Sequence, residues 1–127
     1  MKRATSPEQL HQLFADALNA SDVDALAALY APDACVVPRN GVSASGAKAI
    51  RELLTGYCAL NATMQIKTRH SIVNGDTALL MSDWTMTGTK PDGSPVSSSG
   101  TSVEIARRTS DGSWLYVIDL PHGIGTS

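Results

Sequence analysis

Thr77-Ala78-Leu79-Leu80-Met81-Ser82-Asp83-Trp84-Thr85-Met86-Thr87-Gly88-Thr89 is bounded by Asn74-Gly75-Asp76 before it and Pro91-Asp92-Gly93-Ser94 after it. The flanks are turn chemistry, and the run between them is rich in Thr, Leu, Met and Trp at alternating positions, which predicts a long strand. A third turn signal, Ser110-Asp111-Gly112-Ser113, follows at a nearly even interval. Working outward, the same reading gives strands over 64–73, 77–89, 96–108 and 114–120, a meander of antiparallel hairpins. Strands this long must coil, so the sheet is expected to curve.

The first half carries helical periodicity. Ser6 is expected to cap a helix with Pro7 in its first turn, and Leu10, Leu13, Phe14, Ala17 and Leu18 share one face. Ser21 is expected to cap a second helix with Asp24 three residues on. Val23, Leu26, Leu29 and Tyr30 form its apolar stripe and Pro32 ends it. Ala34 to Val37 reads as a short strand, 39–46 as a loop, and a third helix begins at Ala47 with Ile50, Leu53, Leu54 and Tyr57 on one face. Helices followed by a curved hairpin sheet give an α+β fold, one domain over 1–127, with three N-terminal helices wrapped by the sheet.

In the strand from Thr77, one face reads Thr77, Leu79, Met81, Asp83, Thr85 and the other Ala78, Leu80, Ser82, Trp84, Met86. A strand apolar on both faces has both covered. One face is expected to pack on the helices and the other on a second copy, giving a homodimer.

Composition narrows the function classes. A formal net charge of -2 with scattered Lys and Arg excludes an electrostatic nucleic-acid surface. No apolar run reaches the roughly 20 residues that span a bilayer. The start, Met1-Lys2-Arg3, lacks an apolar segment behind it, so a cytoplasmic protein is expected. Cys35 and Cys58 lie in different elements without metal-ligand spacing and read as reduced thiols. His11, His70 and His122 share no ligand spacing, so no metal and no cofactor are expected. His122 follows Pro121 at the end of the last strand, either at the mouth of a pocket or in a tail.

Carboxylates stranded among apolar strand residues are the chemical candidates: Asp83, Glu104 and Asp119. In a cavity, desolvation raises such a group's pKa and suits it to acid–base work near neutrality. Each has a plain alternative, pairing with Lys67, Arg69, Arg107 or Arg108 across the sheet or facing solvent. Tyr30, Tyr57, Trp84 and Tyr116 suit either a ligand pocket or the core.

The run from Ala17-Leu18-Asn19-Ala20 through Tyr30-Ala31-Pro32-Asp33-Ala34, with Gly46-Ala47-Lys48-Ala49-Ile50-Arg51 and Asp111-Gly112-Ser113-Trp114 in order, resembles SnoaL-like proteins. These belong to the superfamily of nuclear transport factor two, ketosteroid isomerase and scytalone dehydratase. The resemblance implies a cone-shaped α+β barrel, a pocket inside the concave sheet, and frequent dimers through the convex face. It does not imply one reaction. The oxyanion-hole tyrosine of ketosteroid isomerases falls at Phe14, their general-base aspartate near Val37 and their second oxyanion-hole acid near Glu104, so the steroid mechanism is not matched. SnoaL-type cyclases place an acid on the last strand, where Asp119 stands, and a histidine on the preceding strand, where none is evident. The expected protein therefore binds a small, largely apolar or polyketide-like molecule. Asp119 and Asp83 are its candidates for isomerase, cyclase or dehydratase proton transfer. Phe14, Tyr30, Tyr57, Trp84, Glu104 and Tyr116 line its pocket. The alternative is a non-catalytic binding or dimerising module.

Overall fold

The computed structural model describes residues 2–38 and 41–123. Part of the expected loop, at 39–40, lies outside them. Elements follow in the order α1 (Gln9–Asn19), α2 (Val23–Ala27), β1 (Tyr30–Val36), β2 (Ala44–Ser45), α3 (Ala47–Cys58), β3 (Thr63–Asn74), β4 (Thr77–Thr89), β5 (Pro95–Arg108) and β6 (Trp114–Leu120). The six strands form one sheet in the order β2-β1-β6-β5-β4-β3. Neighbours are antiparallel except β1 and β6, which run parallel. The long strands end within a residue of where turn chemistry places them. Gly75, Gly93 and Gly112 each take positive φ at the three turns.

Register shifts bend the sheet into a trough. One is at Arg69 of β3, extra between Thr68 and His70, and the other at Val117 of β6, extra opposite Ile105 and Ala106 of β5. Each extra residue adds local twist and curls the strand. The helices fill the concave side. Leu10 and Leu18 of α1, Leu26 of α2, and Ile50 and Leu54 of α3 are fully buried against Val36, Leu80, Ala106, Trp114 and Tyr116 of the sheet. The end of α1 is pinned to the start of β3, where Asn19 donates to the Met64 carbonyl and accepts from its N–H.

The N-terminal half departs from the pattern in four places, one of them β2, which pairs with β1 inside the stretch expected to be a loop. No side chain caps α1 at its N-cap Glu8, although Ser6 was expected to do so. Its first turn is instead braced by Gln9, whose side chain accepts from the N–H and hydroxyl of Thr5. Asp22, not Ser21, caps α2 by accepting from the Ala25 N–H at 3.0 Å. Ser21 takes φ +53°, and the Ser21 and Asp22 amides close back on the Leu18 and Ala17 carbonyls, a left-handed stop to α1. Helix α2 is also shorter than its apolar stripe suggests, because Tyr30 already begins β1. Pro32 lies inside that strand rather than ending a helix. Pairing between β1 and β6 is interrupted from Tyr30 to Cys35, so the missing N–H costs the ladder nothing.

Candidate active site

Strand register decides which side chains meet inside the trough. Leu80, Glu104 and Asp119 are successive partners across β4, β5 and β6, and Val36 of β1 continues the row. The next inward row is Thr68, Ser82 and Ser102, followed by Ile66, Trp84 and Gly100. Alternation keeps all of these on the concave face. Two carboxyl groups therefore stand side by side at one level of a cavity of about 140 Å³. Phe14 and Leu18 of α1, Leu54 and Tyr57 of α3, and Met64 and Trp84 of the sheet form much of its apolar wall.

Each carboxyl group has its own partner. Asp119, 7% exposed, accepts from the Tyr30 hydroxyl at 2.6 Å. Glu104, 4% exposed, is bonded to His11 Nε2 at 2.7 Å, and His11 Nδ1 meets the Thr68 hydroxyl at 2.7 Å. With Glu104 ionised, Nε2 donates to it, and the rotatable Thr68 hydroxyl adapts to either state of Nδ1. Ser82 and Ser102 bond each other at 2.5 Å. At one end, Trp84 Nε1–H donates to the Pro121 carbonyl at 2.7 Å and its ring meets His122 edge-on, centroids 5.3 Å apart. Among the described residues, no buried side-chain nitrogen or oxygen lacks a partner.

Burial raises Asp119 from the usual 3.8 to about 7, with the nearby Glu104 charge adding to the rise and the Tyr30 hydrogen bond opposing it. The same burial holds Tyr57 up at about 12 and Tyr30 and Tyr116 well above the ordinary phenol value, each reinforced by nearby carboxylates. The phenols therefore remain protonated donors at neutral pH. Asp119 alone among these shifted groups is brought to where a carboxyl group both takes and gives protons near neutrality.

Asp119, Glu104, Phe14, Tyr30, Tyr57, Trp84 and Tyr116 all line the cavity. Asp83 does not. Its side chain is on the outer face, 54% exposed, accepting from Thr101 at 2.9 Å and 3.5 Å from Arg69. Strand alternation puts Ser82 and Trp84 inside and therefore Asp83 outside, so its expected catalytic role is corrected. Glu104 likewise pairs with a helix histidine and not with a strand cation, since Arg69, Arg107 and Arg108 pair with Asp83, Asp33 and Asp76. His122, one of two readings for the chain end, borders the cavity. His11 carried no site assignment in the sequence. Its signal was available: His11, Phe14 and Leu18 fall at i, i+3 and i+7, one helix face.

The sequence pattern of the SnoaL-like domain matches residues 10–117. No curated protein has a matching sequence. Among solved structures, a ketosteroid isomerase-like protein from Erwinia carotovora atroseptica superposes with a TM-score of 0.80 at 19% identity, covering 94% of each chain. A conserved protein from Planctomyces limnophilus gives 0.80 at 14% identity over 89% of each chain. An NTF2-like protein with a cystatin-like fold from Novosphingobium aromaticivorans gives 0.76 at 21% identity, covering 94% of this chain and 80% of its own. At these identities the likeness is one of fold.

Proposed function

This chain belongs to the SnoaL-like domain family, and from that premise we propose that it binds a small, largely apolar molecule in the trough and moves a proton on it with Asp119, without a cofactor. The observation that carries this reading is the buried Asp119, fixed by Tyr30 at the polar end of an apolar cavity and titrating at about 7. Near neutral pH such a group is present in both states, so it can remove a proton from one atom of a ligand and return it to another. Tyr30 fixes the direction of the carboxyl group and stabilises its charged form. The His11–Glu104 pair supplies a neighbouring carboxylate that favours the protonated form. Isomerisation, cyclisation and dehydration all need that shuttle.

The decisive experiment isolates the protein from cells, measures its native mass, and identifies any compound released on denaturation. That compound is then incubated with wild type and with Asp119→Asn. Conversion by wild type alone is the expected result. A compound recovered unchanged from wild type after long incubation would instead make the cavity a binding site without chemistry.

We further propose that a second copy covers the convex face. Ile72, Leu79, Ile105 and Ile118 form one outward row across β3 to β6, with Met81 and Val103 beside it. Ile72 is 61% and Ile118 38% exposed in the single chain. A contiguous apolar band across four strands is characteristic of an interaction surface. A cytoplasmic setting suits Cys35 and Cys58, which are not joined to each other.

A further inference from the structure

Three features of the cavity bear on what fits it: its size, the chemistry of its walls, and the groups at its polar end. A volume of about 140 Å³ compares with the about 150 Å³ of an apolar cavity that holds one benzene ring. Aromatic and aliphatic side chains from opposite sides, Phe14, Leu54 and Tyr57 facing Met64 and Trp84, make walls for a flat apolar body. Trp84 itself is tied to the Pro121 carbonyl and backed by Gly100, where any Cβ would come within 3.1 Å of the indole. The bare Gly100 backbone thus lets the indole lie directly against β5 on that side of the cavity.

Charge narrows the ligand further. No Lys or Arg is among the described residues lining the cavity, whereas two carboxyl groups are. An anion would face Glu104 and Asp119 with no guanidinium or ammonium group to receive it; of the two imidazoles at the wall, His11 is committed to Glu104 and Thr68, and His122 stands against Trp84. A cation would have to give up its hydration, at a cost of several kcal/mol per ion. Glu104 is already committed to His11. Burial keeps Asp119 largely protonated up to about pH 7, where it offers a cation little charge. With Oδ2 taken by Tyr30, Asp119 Oδ1 is the carboxyl atom left to meet a ligand oxygen.

We infer that the cavity selects an uncharged single-ring compound bearing one hydroxyl or carbonyl oxygen at the Asp119–Tyr30 end, and turns away fused-ring and ionic compounds. This rests on the cavity being the ligand site proposed above, and it replaces the polyketide-like expectation with a ligand of about eight non-hydrogen atoms, the size of benzyl alcohol, in a cavity built for one ring.

The test is binding to the wild-type protein at pH 6.5, read from the Trp84 indole N–H signal in nitrogen-15 NMR, with the Trp114 indole as internal control. The probes are benzyl alcohol, cyclohexanone, benzoate, benzylamine and 2-naphthalenemethanol. The expected result is a saturable shift of Trp84 by benzyl alcohol and cyclohexanone, with affinities at least tenfold above those of the other three. The inference is overturned if benzoate, benzylamine or 2-naphthalenemethanol binds as tightly as benzyl alcohol, or if no probe moves Trp84. The proton-transfer reading fails separately, when Asp119→Asn converts a cell-derived ligand as fast as wild type whatever that ligand's size or charge.

Discussion

Replacing Asp119 with Asn should make the protein more stable above neutrality, the reverse of the usual outcome of altering a buried polar residue. The folded protein holds the Asp119 proton up to about pH 7, whereas the ordinary carboxyl value is 3.8. Between those values unfolding releases a proton, so the unfolded chain binds fewer protons and stability falls as pH rises, levelling off above the folded value. Each pH unit is worth about 1.4 kcal/mol, so by pH 8 the ionised carboxylate costs about 4 kcal/mol against a neutral isostere and near pH 4 less than about 1 kcal/mol. Asn keeps an oxygen to accept from Tyr30 and removes the charge opposite Glu104. Urea unfolding at pH 4, 6 and 8 reads the difference directly. With a slope of about 2 kcal/mol per molar urea, the variant's midpoint should exceed wild type by about 2 M at pH 8 and nearly coincide at pH 4. Parallel curves at all three values, or a variant less stable at pH 8, would refute the assignment of Asp119 as a raised, buried acid.

His11→Ala should lose about 3–5 kcal/mol in urea unfolding at pH 7 because Glu104 is left buried without its partner. The double change His11→Leu with Glu104→Leu should recover most of that loss, and failure to recover any would show the pair is not the cause. Gly100→Ala should cost about 1–3 kcal/mol by overpacking and shift Trp84 emission, since its Cβ meets the indole and His122 at 3.1 Å. The double change Ile72→Lys with Ile118→Lys should convert a dimer to monomer in analytical ultracentrifugation with no change in circular dichroism. A wild-type monomer at high micromolar concentration would dismiss the second copy.

The sheet was legible because its signals are local. Asn74-Gly75 and Asp92-Gly93 specify turns within a few residues, and alternation between them settles which side chains share a face. What alternation leaves open is which face is inside. In β4, Leu79 and Met81 make the outer face as apolar at its start as Ala78 and Leu80 make the inner one, so Asp83 passed for a cavity residue. The strand reading at Ala34 to Val37 agrees with β1, but the stretch 28–32 reads as helix for the opposite reason. Leu26, Leu29 and Tyr30 lie at helical spacing, but pairing of Tyr30 with Tyr116 draws it into the sheet, and that partner is far along the chain. His11 illustrates the limit most plainly. Its helix face is readable, but Glu104 lies 93 residues away and Thr68 57 residues away, and only the folded register brings the three together.

That register also determines where in the sheet the cost of the two acids falls. Residues 36, 119, 104 and 80 form one row beneath the helices, and two of them, Val36 and Leu80, are the apolar residues a buried row requires. The two between them are carboxylic acids directly opposite each other, an arrangement that like-charge repulsion and desolvation both penalise. The structure offsets this locally, with a histidine from α1 for one acid and a tyrosine from β1 for the other. Apolar residues at both positions would remove the penalty and the need for both partners. A row that is costly in the middle and ordinary at its ends places the cost where a ligand would meet the protein. It leaves Asp119 as the acid whose proton is loosely held near neutrality. Stability gains nothing from that arrangement, whereas the proposed proton transfer depends on it.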